Sequence, residues 1–204
     1  MGRPKKENSL TPQDVVMAAI VCLDKEGVGA LGVNRVAREL GIKPPAIYKH
    51  VKGNAGLERA VAISIWKDYL DYFDAHTVGA TDLESMMFSG AQATRRYAKR
   101  YFARYSVMMG YRMKPTDLEE AAIIQRSLQP FRTCFSLENY DENTLIDIMR
   151  MVNAAIYGFI MREQMDLMTL KRSADESYSV MLKLLLVAVR HADSLRREAE
   201  EDSS

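Results

Sequence analysis

Residues 33–52, VNRVARELGIKPPAIYKHVK, bring lysine, arginine, tyrosine and histidine side chains together over a short span with apolar residues at helical spacing. Val33, Val36, Ala37 and Leu40 fall at i, i+3, i+4 and i+7, which predicts a short helix over 33–40. Gly41 is placed for a left-handed turn. Pro44-Pro45 is barred from a helix interior but tolerated in a first turn, so a second short helix begins there and reaches about residue 50. Small Ala37 at the crossing, Gly41 at the bend and Ile47 as a buried anchor are the steric demands of a helix-turn-helix. The chemistry on offer is cationic and suits a polyanion.

Charge supports that reading. Up to Asn54 nine Lys and Arg stand against five Asp and Glu, a balance of +4, while the other 150 residues carry −3. Catalysis finds no constellation. His50, His76 and His191 are scattered without ligand spacing, so no metal site is expected. Cys22 and Cys134 have no C-x-x-C partner and read as small buried hydrophobes in a reducing cytoplasm. There is no Gly-rich phosphate loop or G-x-S-x-G elbow, and no cofactor is implied. Glu119-Glu120 and Glu200-Glu201 read as solvated helix faces. No stretch approaches eighteen consecutive apolar residues, and the start is basic then polar, without the apolar run of a secretory signal.

The elements that must hold this window are helical throughout. Thr11-Pro12-Gln13-Asp14 opens a first helix with a cap, a first-turn proline and an acid near the positive end. Val15, Val16, Ala19, Ile20 and Leu23 form its stripe, and Gly27 stops it. After the window, Gly53-Asn54 breaks the chain and caps a long fourth helix ending near 76–79. A fifth runs over about 82–109, and a sixth over about 116–135 with Pro130 as a kink. Asp141 caps another that reaches about 164, and the last begins near Ala174. The expectation is an all-α chain of about nine helices. It divides into a basic arm (1–10), a three-helix head (11–55), a linking helix (56–80), a helical body (81–195) and a polar tail (196–204).

The head resembles the DNA-binding domain of the TetR family of transcriptional regulators. The resemblance rests on the first-helix stripe, Gly27, the run 36–42, the run 46–52 (AIYKHVK) and Leu57. It implies a cytoplasmic homodimer whose third helix enters the major groove of operator DNA and whose body binds a small ligand that releases the DNA. Matching positions place DNA contacts at Lys43, Pro44, Pro45, Ala46, Tyr48, Lys49 and His50. Chemically, Lys43 and Lys49 can reach phosphates or guanine edges, while Ala46 and both prolines can meet thymine methyls. Tyr48 and His50 position the helix on the backbone, and Lys52 with the start of helix four holds a phosphate. Asn34 could meet an adenine edge or face solvent. Arg3, in Gly2-Arg3-Pro4-Lys5-Lys6, could enter an A·T minor groove or belong to a solvated tail.

Two departures from the family pattern stand out. Gly32 replaces the usual Ser or Thr cap of helix two. Asn54 replaces the lysine common at the start of helix four, which keeps a capping role there and lowers the salt slope by about one unit. A helical small-molecule binding protein that has lost its operator is the alternative these departures leave open.

Residues 82–190 hold eleven of the thirteen methionines together with seven tyrosines, a composition suited to a hydrophobic or aromatic ligand held by hydroxyls. The expected lining is Met87, Tyr101, Tyr105, Met109, Phe131, Phe135, Met149, Asn153 and Tyr157. Asn153, Tyr157 and Gly158 also stand where a TetR C-terminal subclass has a Trp-His-Gly signature, of which only the glycine is kept. The last two helices carry apolar rows, Val152, Ile156, Phe159 and Ile160, then Met181, Leu182, Leu185 and Val189. They are expected to pair with a second copy in a four-helix interface. No membrane partner is expected.

Overall fold

The computed structural model describes residues 10–136, 140–192 and 194. Arg3, the basic arm and the polar tail lie outside the described residues, as does the side chain of Phe135. Among the described residues there are nine α-helices, one 3-10 turn and no strand. The helices are α1 (Pro12–Glu26), α2 (Val33–Glu39), α3 (Pro44–Ile47), α4 (Gly53–His76), α5 (Leu83–Arg100), α6 (Phe102–Gly110), α7 (Leu118–Ser136), α8 (Glu142–Gln164) and α9 (Ala174–Arg190). The 3-10 turn spans Val28–Ala30.

Several helix ends follow directly from residue chemistry. Thr11 and Asp14 form a reciprocal capping box, with the Asp14 N–H donating to Thr11 Oγ1 at 3.1 Å and the Thr11 N–H to Asp14 Oδ2 at 2.8 Å. The second bond and the Thr11 hydroxyl hold the Asp14 carboxyl below its ordinary range. Asp141 caps α8 through the Thr144 N–H at 3.0 Å, and Ser173 caps α9. Gly41 turns the chain out of α2 with φ +65°, a conformation that disfavours any residue with a Cβ.

The chain forms two compact units. The first holds the described residues up to Tyr69 together with Tyr101–Ile123. Its core is Val15, Ala19, Leu23, Val36, Ala37, Ile47, Leu57 and Val61, all essentially solvent-free. Here α6 packs on α1, secured by a two-pronged pair in which Arg104 Nε and Nη2 meet Asp24 Oδ1 and Oδ2 at 2.8 and 2.5 Å. The Trp66 indole N–H donates to the Met108 carbonyl at 3.1 Å.

This unit also corrects one expectation. Glu120 is not on a solvated face but fully buried. Asp117 caps α7 through the Glu119 and Glu120 N–H groups and fixes the first turn in which Glu120 sits. The Glu120 carboxylate accepts from Arg59 Nε at 2.8 Å, the Tyr111 hydroxyl at 3.1 Å and the Lys114 N–H at 2.6 Å. Three donors offset the desolvation that the charge suffers.

The second unit comprises Leu70–Arg100 and the described residues from Ile124 on. In it α5, α8 and α9 pack against one another. Gly90 of α5 permits a close approach, because a Cβ there would sit 2.8 Å from the Phe73 ring. Arg95, only 5% exposed, makes paired bonds to Glu163 at 2.8 and 2.5 Å and a third to Asp175 at 2.7 Å. Its guanidinium also lies 4.7 Å from the Tyr178 ring centroid. The Tyr178 hydroxyl donates to the Ala91 carbonyl at 2.8 Å. By length and composition α8 could cross a bilayer, with a mean hydropathy of 1.3. Here its row Ile148, Val152, Ile156 and Ile160 is buried within the unit.

The helix expected over 82–109 is two helices. The chain leaves α5 at Tyr101 (φ −135°, ψ 53°) and restarts at once, the Tyr105 N–H bonding to the Tyr101 carbonyl at 2.9 Å. Neither Gly nor Pro marks this break, and it assigns α5 and α6 to different units.

Candidate nucleic-acid interface and apolar cleft

In the first unit α3 is anchored by Ile47, which is wholly buried, and this orientation leaves the rest of the segment outward. Lys43, Pro45, Tyr48, Lys49 and Lys52 are exposed, and Pro44, Ala46 and His50 half-buried. The regular helix stops at Ile47, shorter than expected, and the next residues continue as turns held by the His50 N–H to the Ile47 carbonyl at 2.8 Å.

Asn34, exposed on α2, borders an open hollow of about 450 Å³ that also meets Arg38, Tyr48 and Asn54. Asn34 and Tyr48 were expected at the interface. Arg38 was not, although it lies one turn beyond Asn34 on the same face, a spacing readable in the sequence. Its neighbour Arg35 is engaged. It pairs with Glu26 and, at 2.8 Å, with Glu39, which Lys25 also meets at 2.7 Å. These bonds hold both carboxyls below their ordinary range and raise the guanidinium's. Arg38 makes no ion pair among the described residues and stays available.

Asn54 does something other than cap α4. Its Oδ1 accepts the Val33 N–H at 3.0 Å, across twenty-one positions. Gly32, the N-cap of α2, supplies no side-chain bond. The carboxamide therefore meets the donor at the helix end that a Ser or Thr at 32 would serve locally.

The second unit contains an apolar cleft lined by Leu83, Met86, Met87, Phe131, Cys134, Ile148, Met149, Val152 and Asn153. Its enclosed space is about 10 Å³, room for one water, and the space including its open mouth is about 360 Å³. Of the expected ligand residues, Met87, Phe131, Met149 and Asn153 meet here. Tyr101, Tyr105 and Met109 do not, because the break at Tyr101 puts them in the first unit. Tyr157 is exposed on α8 and lines no part of the cleft. Among the described residues no tyrosine hydroxyl lines it, and Leu83, Met86, Cys134, Ile148 and Val152 line it without having been expected in a ligand site, Val152 having been expected in the dimer row instead. Burial, with Asp82 adding negative charge, pushes the Cys134 thiol up, so it stays protonated.

The expected dimer row is largely core. Val152, Ile156, Ile160, Leu182, Leu185 and Val189 are all buried within the second unit, with only Phe159 and Met181 partly exposed. Packing on α5 as well as on each other consumes the inner rows of α8 and α9. A different row remains outside, Val180, Leu184 and Val187 on α9, beside a shallow apolar hollow that includes Met181 and Ala188.

Two short helices joined through Gly41, with exposed cations on the second and a larger all-α unit behind them in sequence, define a helix-turn-helix transcriptional regulator. Residues 87–185 match the family described as "Tetracyclin repressor-like, C-terminal domain". An uncharacterized HTH-type transcriptional regulator of Mycobacterium tuberculosis is 28% identical over 82% of this chain and 75% of its own length. The class D tetracycline repressor of Escherichia coli is 30% identical over 50% of this chain and 46% of its own. Among solved structures, a TetR protein of Acinetobacter baumannii in complex with minocycline superposes with a TM-score of 0.68 at 18% identity, over 92% of this chain and 99% of that one. Apo ActR of Streptomyces coelicolor gives 0.70 at 14% identity, over 93% and 99%. Together these likenesses support a TetR-family DNA-binding transcriptional regulator.

Proposed function

We propose that this protein is a cytoplasmic homodimeric repressor that binds a pseudo-palindromic operator and leaves it when a small apolar ligand enters the second unit. The reading is carried by the surface of α3. With Ile47 inward, Lys43, Pro45, Tyr48 and Lys49 form an outward face bordered by Asn34, Arg38 and Lys52. Lys43, Lys49 and Arg38 supply phosphate or guanine contacts, and Pro44, Pro45 and Ala46 meet thymine methyls. Two such faces in one dimer enter successive major grooves, which makes the operator an inverted repeat.

The second copy docks on α9 at Val180, Leu184 and Val187, an apolar row left bare by the packing of one chain. Ligand binding favours a conformer whose two heads are wrongly spaced for DNA, so release is a population shift and operator DNA must weaken ligand binding by the same factor. Nothing in this account calls for catalysis.

The alternative, a binding protein without an operator, drew support from an uncapped α2, from Pro44-Pro45 and from Asn54. The Asn54 bond to Val33 answers the first and the last, and both prolines fall in the first turn of α3, where they are tolerated. Tyr48→Ala and Lys49→Ala test the proposal. Each should abolish tight DNA binding while circular dichroism and melting stay as in the parent, and unchanged DNA affinity in both would refute it.

A further inference from the structure

The cleft of the second unit discriminates by charge. None of its lining residues is ionised: the walls are Leu83, Met86, Met87, Phe131, Ile148, Met149 and Val152, with the protonated thiol of Cys134 inside. Among the described lining residues a carboxylate entering there meets no lysine or arginine, and an ammonium meets no acid, so either charge would be desolvated without a partner in the wall. The start of α5, which borders the cleft at Leu83, is closed to anions as well. Asp82 already occupies that end, its Oδ1 accepting the Ser85 N–H at 2.8 Å. The Asp82 carboxylate does not itself line the cleft and is held by Ser85 at the helix start.

The polar group at the mouth is uncharged. Asn153 is exposed, and its carboxamide makes no hydrogen bond among the described residues, leaving a donor and an acceptor for one neutral group. Shape adds a second condition. An enclosed space of about 10 Å³ admits neither ring nor chain until its walls part, and the bulky Phe131 wall lies tilted at 6.2 Å against Phe73. Met86, Met87 and Met149 are unbranched and rotate readily, so the walls can part for a slim chain.

Resting on the reading of this cleft as the effector site, we propose that the effector is a neutral amphiphile. Its unbranched apolar body passes between the three methionines, and its single uncharged hydrogen-bonding end, an alcohol or amide, meets Asn153. Fatty-acid anions and alkylamines of the same length are excluded.

Octanol, octanoate and octylamine at neutral pH provide the test, each titrated calorimetrically into the full chain. Octanol should bind at least about tenfold more tightly than either ion. Asn153→Leu, which removes the only carboxamide among the described lining residues, should weaken octanol binding several-fold while leaving the fold intact. Met87→Trp, which fills the cleft, should abolish octanol binding; should it not fold, Met149→Trp at the half-buried wall serves in its place. Octanoate or octylamine binding as tightly as octanol would overturn the proposal. So would the absence of binding by all three, or octanol binding that survives the filled cleft. Operator binding by the same ligand-free protein is scored separately. DNA binding without octanol binding sinks this inference alone, and the reverse sinks the regulator reading alone.

Discussion

The Asn54 side chain of α4 caps α2, its Oδ1 accepting the Val33 N–H at 3.0 Å where Gly32 offers no side chain. One residue thus ties the starts of two helices of the head, both beside Tyr48 and Arg38. Asn54→Ala should cost about 1 kcal/mol, a normal N-cap loss, and Gly32→Ser in the same chain should recover most of it by capping locally. Chemical denaturation of the parent, the single variant and the double variant measures this. An Asn54→Ala protein as stable as the parent would remove the cap from the account. Asn54→Lys separates the two roles of the position: it should lower stability yet steepen the salt dependence of DNA binding by about one unit.

Arg38 and Lys49 should contribute differently from a buried residue. Replacing either by Ala should leave the unfolding free energy within about 0.5 kcal/mol of the parent, as for a surface site. Each should also reduce the slope of log affinity against log salt by roughly one per subunit. For Arg35→Ala the expectation reverses, because Arg35 bridges Glu26 and Glu39 rather than facing the hollow alone. Its loss should destabilise the head and change the slope little.

Glu120 is the most exposed to single-site failure. Glu120→Ala leaves the Tyr111 hydroxyl and the Lys114 N–H without their acceptor and removes one partner of Arg59. We expect about 2–3 kcal/mol of lost stability, the range for unsatisfied buried groups. A loss under about 0.5 kcal/mol would mean that water replaces the carboxylate.

Acid should loosen the second unit. Arg95 and Lys99 hold the Glu163 carboxyl below its ordinary range, the Arg95 bonds dominating. A depressed folded-state value means the unfolded chain takes up the proton first. The stabilisation is therefore complete above the ordinary glutamate value of about 4.3 and fades as pH falls through the lower folded value. Glu163→Gln should flatten that acid limb of a stability–pH curve, and an unaltered limb would assign it to other carboxylates.

Dimerisation should respond to the outer row of α9 rather than the inner one. Leu184→Glu, at a position 65% exposed, should yield a folded monomer in sedimentation, whereas Leu182→Glu should unfold the second unit. A Leu184→Glu protein that stays dimeric would move the interface elsewhere.

What the residues announced in advance was local. Thr11 and Asp14 are three apart, Gly41 follows a four-membered apolar stripe, and Pro44-Pro45 can only start a helix; each sets its element through its own neighbours. What escaped depends on contacts between distant residues. Nothing near Tyr101 breaks a helix by propensity, so the stripe from Met87 to Met109 read as one face until packing divided it. The Glu119-Glu120 pair looks symmetric in sequence, and only Arg59, Tyr111 and Lys114 distinguish the buried member. Likewise an apolar row on α8 does not say whether α5 or a second chain will cover it.

Selection of bound sites from random duplex DNA, followed by a salt titration of the enriched sequence, tests the central claim most directly. The account predicts an inverted repeat bound by a dimer, with an affinity that falls steeply with salt and loses about one unit of slope per subunit cation removed at Arg38 or Lys49. No enriched sequence at low salt, from a well-folded dimer free of co-purified ligand, would contradict it.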